Sequence, residues 1–263
     1  MAMRRFLRGI VHELRSRRSL LLACLSVVLI VGTWQASASY RWVDPIFLPG
    51  PLEVLGALKG IVTDPGFASD LSVSANEFFW GLGLSVLVGG TLGILSGWYG
   101  AVDEFLRPVV TALNSIPHLA LIPLLVLLFG IGVLPKVLLV LLSCIVVMLM
   151  NTAAGVRSVD TQLLRMAKSF GASDRQIVCA VVLPSVVPFF MTGLRICVGK
   201  AVVAVAMSEL FGSTAGIGNI LIKAQSAMDM SRMYAAVVLL TVIGIALTQL
   251  AAALEAAMQQ WKA

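Results

Sequence analysis

The sequence predicts an all-α polytopic membrane protein of about six transmembrane helices, with a polar insert between the fourth and fifth. Two observations carry this: a mean hydropathy of +0.98, and 59% hydrophobic letters against 12% charged ones over 263 residues. A third is the run of apolar stretches of near span length, separated by short polar intervals. An ordinary soluble domain carries about 25% charged residues, so a soluble globule is excluded. Six spans of about 20 residues each leave no room for a sizeable soluble catalytic domain.

The formal net charge of +6 on so apolar a chain points to cytoplasmic flanks of membrane spans and away from nucleic acid. Cys24, Cys144, Cys179 and Cys197 stand far apart without a CxxC pair. They read as small buried hydrophobes, neither a disulfide framework nor a zinc site. The only histidines are His12 and His118, and without clustered ligand spacing no metal or other cofactor is expected. His118, beside Pro117, reads as a packing histidine rather than a proton relay.

Residues 1–19 hold Arg4, Arg5, Arg8, Arg15, Arg17 and Arg18, a basic cytoplasmic terminus ahead of a first apolar run at 20–34. Ala36-Ser37-Ala38 resembles a signal-peptide cleavage site, but the spans that follow favour a retained helix. Residues 40–77, with Pro45, Pro49, Pro51 and Pro65, read as an external loop carrying a short surface helix near 52–62. The second run, 78–98, places Gly89, Gly93 and Gly97 on one helix face, where another helix can approach closely. After a polar interval with Asp103, Glu104 and Arg107, the third run extends to about residue 131. Pro117 and Pro123 interrupt it, which implies a kink or break.

The fourth run covers 137–154. Residues 155–183 form the most polar interior stretch, with Arg157, Asp160, Arg165, Lys168, Asp174 and Arg175. The fifth run, 184–207, and the sixth, 235–254, flank a Gly-rich interval containing Glu209, Gly212, Gly216 and Gly218. Residues 255–263 are expected as a cytoplasmic tail. Six spans put both termini on one side. With that side inside, twelve Lys and Arg fall on cytoplasmic segments against five on external ones, Arg41, Lys59, Lys136, Lys223 and Arg232. The direction agrees with the positive-inside rule.

Within the insert, Gly171 can supply the left-handed residue that ends a first short helix. Ser173 and Gln176 form a capping-box pattern that starts a second, with Asp174 at its positive end. Leu163, Ala167 and Phe170 make an apolar stripe, and Arg165 and Lys168 project elsewhere. Such a hairpin suits either the membrane interface, among lipid headgroups, or the groove of a soluble partner.

The run Arg165-Met166-Ala167-Lys168-Ser169-Phe170-Gly171, then nine residues, then Val181-Val182-Leu183-Pro184, resembles the E-A-A-x-x-x-G-x(9)-I-x-L-P loop. That loop marks permeases of binding-protein-dependent ATP-binding cassette (ABC) importers. Arg165 and Met166 replace the usual Glu and first Ala. Ala120-Leu121-Ile122-Pro123-Leu124, Phe129-Gly130-Ile131-Gly132, Gly193-Leu194-Arg195, Ser208-Glu209-Leu210-Phe211-Gly212 and Gly216-Ile217-Gly218 extend the likeness to the nitrate, sulfonate and taurine branch. The resemblance implies a permease domain over 20–254 in the inner membrane, a homodimer of permeases, two cytoplasmic ATPase subunits and an external solute-binding protein. It also implies that the loop at about 157–183 is a coupling helix seated on the ATPase. Arg165, Ala167, Lys168, Phe170, Gly171, Asp174 and Pro184 are its candidate residues.

Charges within spans are costly and by default face a cavity or a partner. Arg195 and Lys200 are thus candidates for the solute path. They stand about 140° apart around a helix of 3.6 residues per turn, so both cannot point into one narrow pore. Each can instead pair with a carboxylate or snorkel. Glu209 reads as a solvated helix end on position, and as a gate or ion-pair partner by resemblance. Gly193 to Lys200 only superficially suggests a phosphate loop, and the chain is not expected to hydrolyse ATP itself. The competing classes are an ion-coupled carrier or channel, which would favour carboxylates at mid-membrane, and a membrane scaffold. Glu77 and Glu209 are expected near span ends rather than deep within them.

Overall fold

A computed structural model describes residue 22 and residues 24–44 and 46–259. The basic terminus at 1–19, part of the first apolar run and residues 260–263 lie outside the described residues. The chain is helical throughout its ordered elements, in the order α1 (Cys24–Ser39), α2 (Pro51–Thr63), α3 (Phe67–Trp98), α4 (Gly100–Ser115), α5 (Ile122–Phe129), α6 (Val133–Arg157), α7 (Thr161–Ser169), α8 (Asp174–Ile177), α9 (Leu183–Glu209), α10 (Ile217–Ser226) and α11 (Met230–Gln259). Among the described residues α3, α6, α11 and the continuous stretch Asp174–Glu209 are each long and apolar enough to cross a membrane. The third predicted run is α4 and α5, bent by 84° at a break, where Pro117 precedes a 3-10 turn at His118–Leu121.

The centre of the bundle is α6, wedged between α3 and α9. Its contact with α3 depends on the glycine face, which runs further than the spacing suggested. A β-carbon at Gly89 would stand 2.6 Å from the Ile145 carbonyl oxygen, and one at Gly93 would stand 2.7 Å from that of Leu149. Gly81 and Gly97 abut Val140 and Val156 in the same way, so any side chain on this face would force the two backbones apart. Phe78, Leu82, Val140, Met148, Cys197, Ala201 and Val205 fill the core behind it. Cys144 and Cys197 are buried as expected, but Cys24 and Cys179 are exposed.

The expected external loop is largely helical. α2 occupies the predicted surface-helix position and packs its Val54 and Ile61 against Ala235 and Ala236 of α11. α3 starts at Phe67, three turns earlier than hydropathy placed it. The physical reason is that Asp70, Ser74 and Glu77 share one helix face and turn it inward onto polar partners, so the segment is polar without being solvated.

Candidate functional site

Three polar constellations lie along the bundle. The first joins α3, α6, α9 and α10 at one end. Glu77 and Glu209 are both fully buried, at 0% exposure. Lys136, near the start of α6, donates to Glu77 Oε1 at 2.5 Å and to Ser213 Oγ at 2.7 Å. Ser74 Oγ donates to Glu209 Oε1 at 2.6 Å. The first three amides about the start of α10 are then satisfied in turn by side chains. Gly216 N donates to Asp70 Oδ1 at 2.8 Å, Ile217 N to Ser74 Oγ at 3.0 Å and Gly218 N to Glu209 Oε2 at 2.6 Å. A helix N-terminus leaves such amides without intrahelical partners and carries partial positive charge, so it attracts carboxylates.

The glycines of this region follow from that contact. Gly212 and Gly216 have φ of 78° and 112°, a region favouring residues without a β-carbon. A β-carbon at Gly218 would stand 2.6 Å from the Ala206 carbonyl oxygen. The motif from Ser208 to Gly218 therefore encodes a close docking of α10 onto Glu209. Glu209 is not a solvated helix end: α3 and α10 fold over it. Nor is Lys136 a solvated external cation, since its side chain is 7% exposed. Asp70, Ser74, Glu77 and Lys136 were missed, although the spacing of four and then three residues from Asp70 to Glu77 was a readable signal.

The second constellation lies in the spans. Arg195 Nε stands 3.3 Å from Glu255 Oε2 on α11, and Thr192 Oγ1 donates to Glu255 Oε1 at 2.7 Å. Arg195 thus pairs with a carboxylate from the expected tail, which is a continuation of α11. Lys200 is directed elsewhere on α9, in an exposed stripe with Ile196, Val203 and Met207. Among the described residues it makes no ion pair. His118 lies in the 3-10 turn, and its Nε2 is buried without a hydrogen-bond partner.

The third is the insert. Asp160 caps α7 by accepting from Gln162 N at 2.7 Å, and Gly171 takes φ of 78° where its N–H donates to the Lys168 carbonyl at 2.9 Å. The predicted capping box forms: Ser173 N donates to Gln176 Oε1 at 2.8 Å, and Gln176 N to Ser173 Oγ at 3.4 Å. The apolar stripe is divided differently from the expectation. Ala167 turns inward with Leu164 onto Val156, Ile177 and Val182, because that side of α7 rests on the ends of α6 and α9. Leu163, Met166 and Phe170 face outward, Phe170 at 86% exposure. Arg165, Lys168 and Asp174 are exposed. Beyond α8 a π turn at Val178–Val182 leads straight into α9. Pro184 in the first turn of α9 has no N–H to give a residue four positions back, which accounts for the local widening.

Beside the insert, Arg157 on α6 pairs with Asp103 on α4 at 2.5 Å, Arg107 does so at 3.0 Å, and Ser96 Oγ donates to the same carboxylate at 2.9 Å. This clasp ties α3, α4 and α6 together below the insert, and the sequence reading did not foresee it.

Residues 89–260 match the family described as binding-protein-dependent transport system inner membrane component. The chain belongs to that family. It is 30% identical over 249 residues to the taurine transport system permease protein TauC of Escherichia coli (strain K12), covering 93% of this chain and 90% of TauC. It is 27% identical over 248 residues to the aliphatic sulfonates permease SsuC of Bacillus subtilis (strain 168), covering 94% and 90%. These relatives fall in the branch to which the motifs pointed. The fold matches that of inward-facing structures of the MetNI methionine ABC transporter, with TM-score 0.63 and 19% identity over 74% of this chain and 99% of the matched one. It also matches a bacterial ABC transporter that imports the acidic polysaccharide alginate, with TM-score 0.61 and 14% identity over 90% and 94%.

Proposed function

We propose that the chain is the membrane-spanning subunit of an ATP-driven importer for small anionic, sulfonate-like solutes. Two copies form the path, an external solute-binding protein delivers the solute, and a cytoplasmic ATPase dimer drives it. The observation that carries this reading is the insert: an outward apolar face of Leu163, Met166 and Phe170, joined through a tight turn at Gly171 to the 36-residue stretch Asp174–Glu209. An exposed apolar face on a short capped helix suits the groove of a soluble partner, and Arg165, Lys168 and Asp174 at its edge would fix the register. Gly171 and Pro184 shape the joint, so a push on α7 is transmitted directly to α9. Arg165, where relatives of this kind carry Glu, calls for an acidic counterpart on the ATPase.

In the proposed orientation the insert and both termini are cytoplasmic, and the Glu209 cluster lies at the external end. Arg195 serves assembly through Glu255, whereas Lys200 faces the path and favours anions. The buried Glu77, Lys136 and Glu209 give some support to the rival reading of an ion-coupled carrier, since intramembrane ionisable groups commonly mark ion pathways. The capping of α10 by Glu209 and the bonding of Lys136 to Glu77 and Ser213 account for them without that role.

Affinity purification of the tagged chain from its native membrane, before and after crosslinking, distinguishes the two. Recovery of a cassette ATPase whose activity rises with the binding protein and taurine supports the importer. A preparation free of ATPase that takes up solute on an ion gradient supports the carrier.

A further inference from the structure

Helix α4 carries Phe105, Leu106, Val109, Val110 and Leu113, yet it buries none of its residues fully. Its side chains meet α6 at two places. At the insert end, Arg157 Nη2 donates to Asp103 Oδ1 at 2.5 Å. Deeper in the bundle, Asn114 Nδ2 stands 3.6 Å from Met150 Sδ. Between these contacts the two helices part around a cavity of about 910 Å³, lined from both sides. The separation of Met150 and Arg157 gives it about 10 Å of depth along α6 at a rise of 1.5 Å per residue.

This cavity is amphipathic. Its mouth holds Arg107 and Arg157, whose side chains are 69% and 51% exposed, against the single carboxylate of Asp103. Among the described residues no second carboxylate stands within ion-pair distance of either guanidinium, so the clasp carries one positive charge in excess. A guanidinium offers five N–H donors. Arg107 uses its Nη2 on Asp103, and Arg157 uses its Nη2 on Asp103 and the Ser96 carbonyl, which leaves most donors of both unspent. Below the mouth the walls turn apolar, with Leu106 and Val110 from α4 and Leu149, Met150 and Ala154 from α6.

Unspent guanidinium donors ask for phosphate oxygens, and the apolar walls ask for an alkyl chain. A small free oxyanion would fill the mouth and leave the walls bare. A second copy meeting this face about a two-fold axis would bring the same guanidinia against its own. A soluble partner would not reach the depth of Met150. We propose that the cavity between α4 and α6 holds one anionic phospholipid of the cytoplasmic leaflet, with its phosphate on Arg107 and Arg157 and an acyl chain along Val110, Leu149 and Met150. Basic pockets between membrane helices on that side suit such headgroups. The inference takes only its orientation from the importer reading. The lipid fills the gap that the Asp103 clasp and the Asn114 contact merely bracket.

The test uses the full chain in nanodiscs containing, at equal mole fraction, either phosphatidylglycerol or phosphatidylcholine with a diazirine midway along one acyl chain. After irradiation, peptide mass spectrometry reads the adducts on α4 and α6. Phosphatidylglycerol is expected to label the segments holding Val110 and Met150 about fivefold more than phosphatidylcholine, and Arg107→Gln to lower that labelling about fivefold, as for one cation near an anionic headgroup. Ala154→Trp places its ring in open cavity, since Ala154 is exposed there, and leaves both arginines in place. It should lower the labelling as far without moving the thermal midpoint. Labelling equal for the two lipids, or indifferent to both variants, would reduce the contact to ordinary bilayer and overturn the proposal. Displacement by millimolar phosphate or methanesulfonate would overturn it in favour of a small oxyanion. Absent adducts, with crosslinks between copies through Met150→Cys, would overturn it in favour of a second copy. Failure of the importer reading would register separately, as the absence of a copurifying ATPase with lipid labelling unchanged.

Discussion

Gly216 approaches the carboxylate of Glu209 so closely that no β-carbon can stand between them. The glycine also holds φ of 112°, so Gly216→Ala meets both a steric clash and backbone strain. The expected destabilisation is about 2–4 kcal/mol from strain together with a displaced buried hydrogen bond. A lowered thermal midpoint of the purified protein checks it. Gly32→Ala, at a position with open space for a methyl group, should leave the midpoint unchanged.

The pair between Lys136 and Glu77 is buried on both sides. Removing one partner leaves an uncompensated charge, so Lys136→Met alone should cost about 3–5 kcal/mol, whereas Lys136→Met with Glu77→Met should recover most of that loss. Thermal unfolding of the two singles and the double tests the coupling. A double as destabilised as Lys136→Met, with Glu77→Met near wild type, would mean that Lys136 matters through Ser213 instead.

Gly171→Pro cannot adopt the left-handed conformation and deletes the N–H that bonds the Lys168 carbonyl. The spans should remain folded while ATPase recovery and transport are lost. Phe170→Asp, which disturbs no internal contact, should lower ATPase copurification at least tenfold without moving the thermal midpoint, since a hydrophobic anchor of a docking face commonly contributes about 2 kcal/mol or more. Wild-type copurification in both variants would remove α7 from the coupling role.

Arg195 and Lys200 should separate cleanly. Arg195→Met removes the ion pair to Glu255 and is expected to reduce the yield of assembled protein. Lys200→Met, on an exposed face, should reduce uptake of an anionic solute while assembly stays near wild type. Equal loss of assembled complex in Lys200→Met would assign that residue to packing.

Much of the architecture was legible in the residues because membrane constraints act on local pattern. The glycine face of α3, the break at Pro117 and the capping box at Ser173 each follow from spacing alone. The α3 face of the Glu209 cluster was readable from its spacing, but its pairing was not, because partners such as Ser74 and Glu209 lie 135 residues apart in sequence and each taken singly resembles a polar loop residue. Hydropathy averages over a window and cannot distinguish a polar face turned toward protein from one turned toward water, which is why the start of α3 and the burial of Lys136 escaped it. The outward turn of Phe170 was hidden for a related reason: a stripe has two edges, and only the position of α6 and α9 decides which edge is covered.

The stretch from Asp174 to Glu209 spans about 54 Å at 1.5 Å per residue and begins one turn after the insert's glycine joint. Its far end carries the oxygen atoms that anchor the Gly218 amide and the Ser74 hydroxyl. The molecule therefore resembles a see-saw more than a corridor with two separate doors. On the proposed coupling, tipping one end would tip the other, and the wide π turn beside Pro184, followed by Pro188 inside α9, is where the stiffness of the beam can be tuned without touching either load.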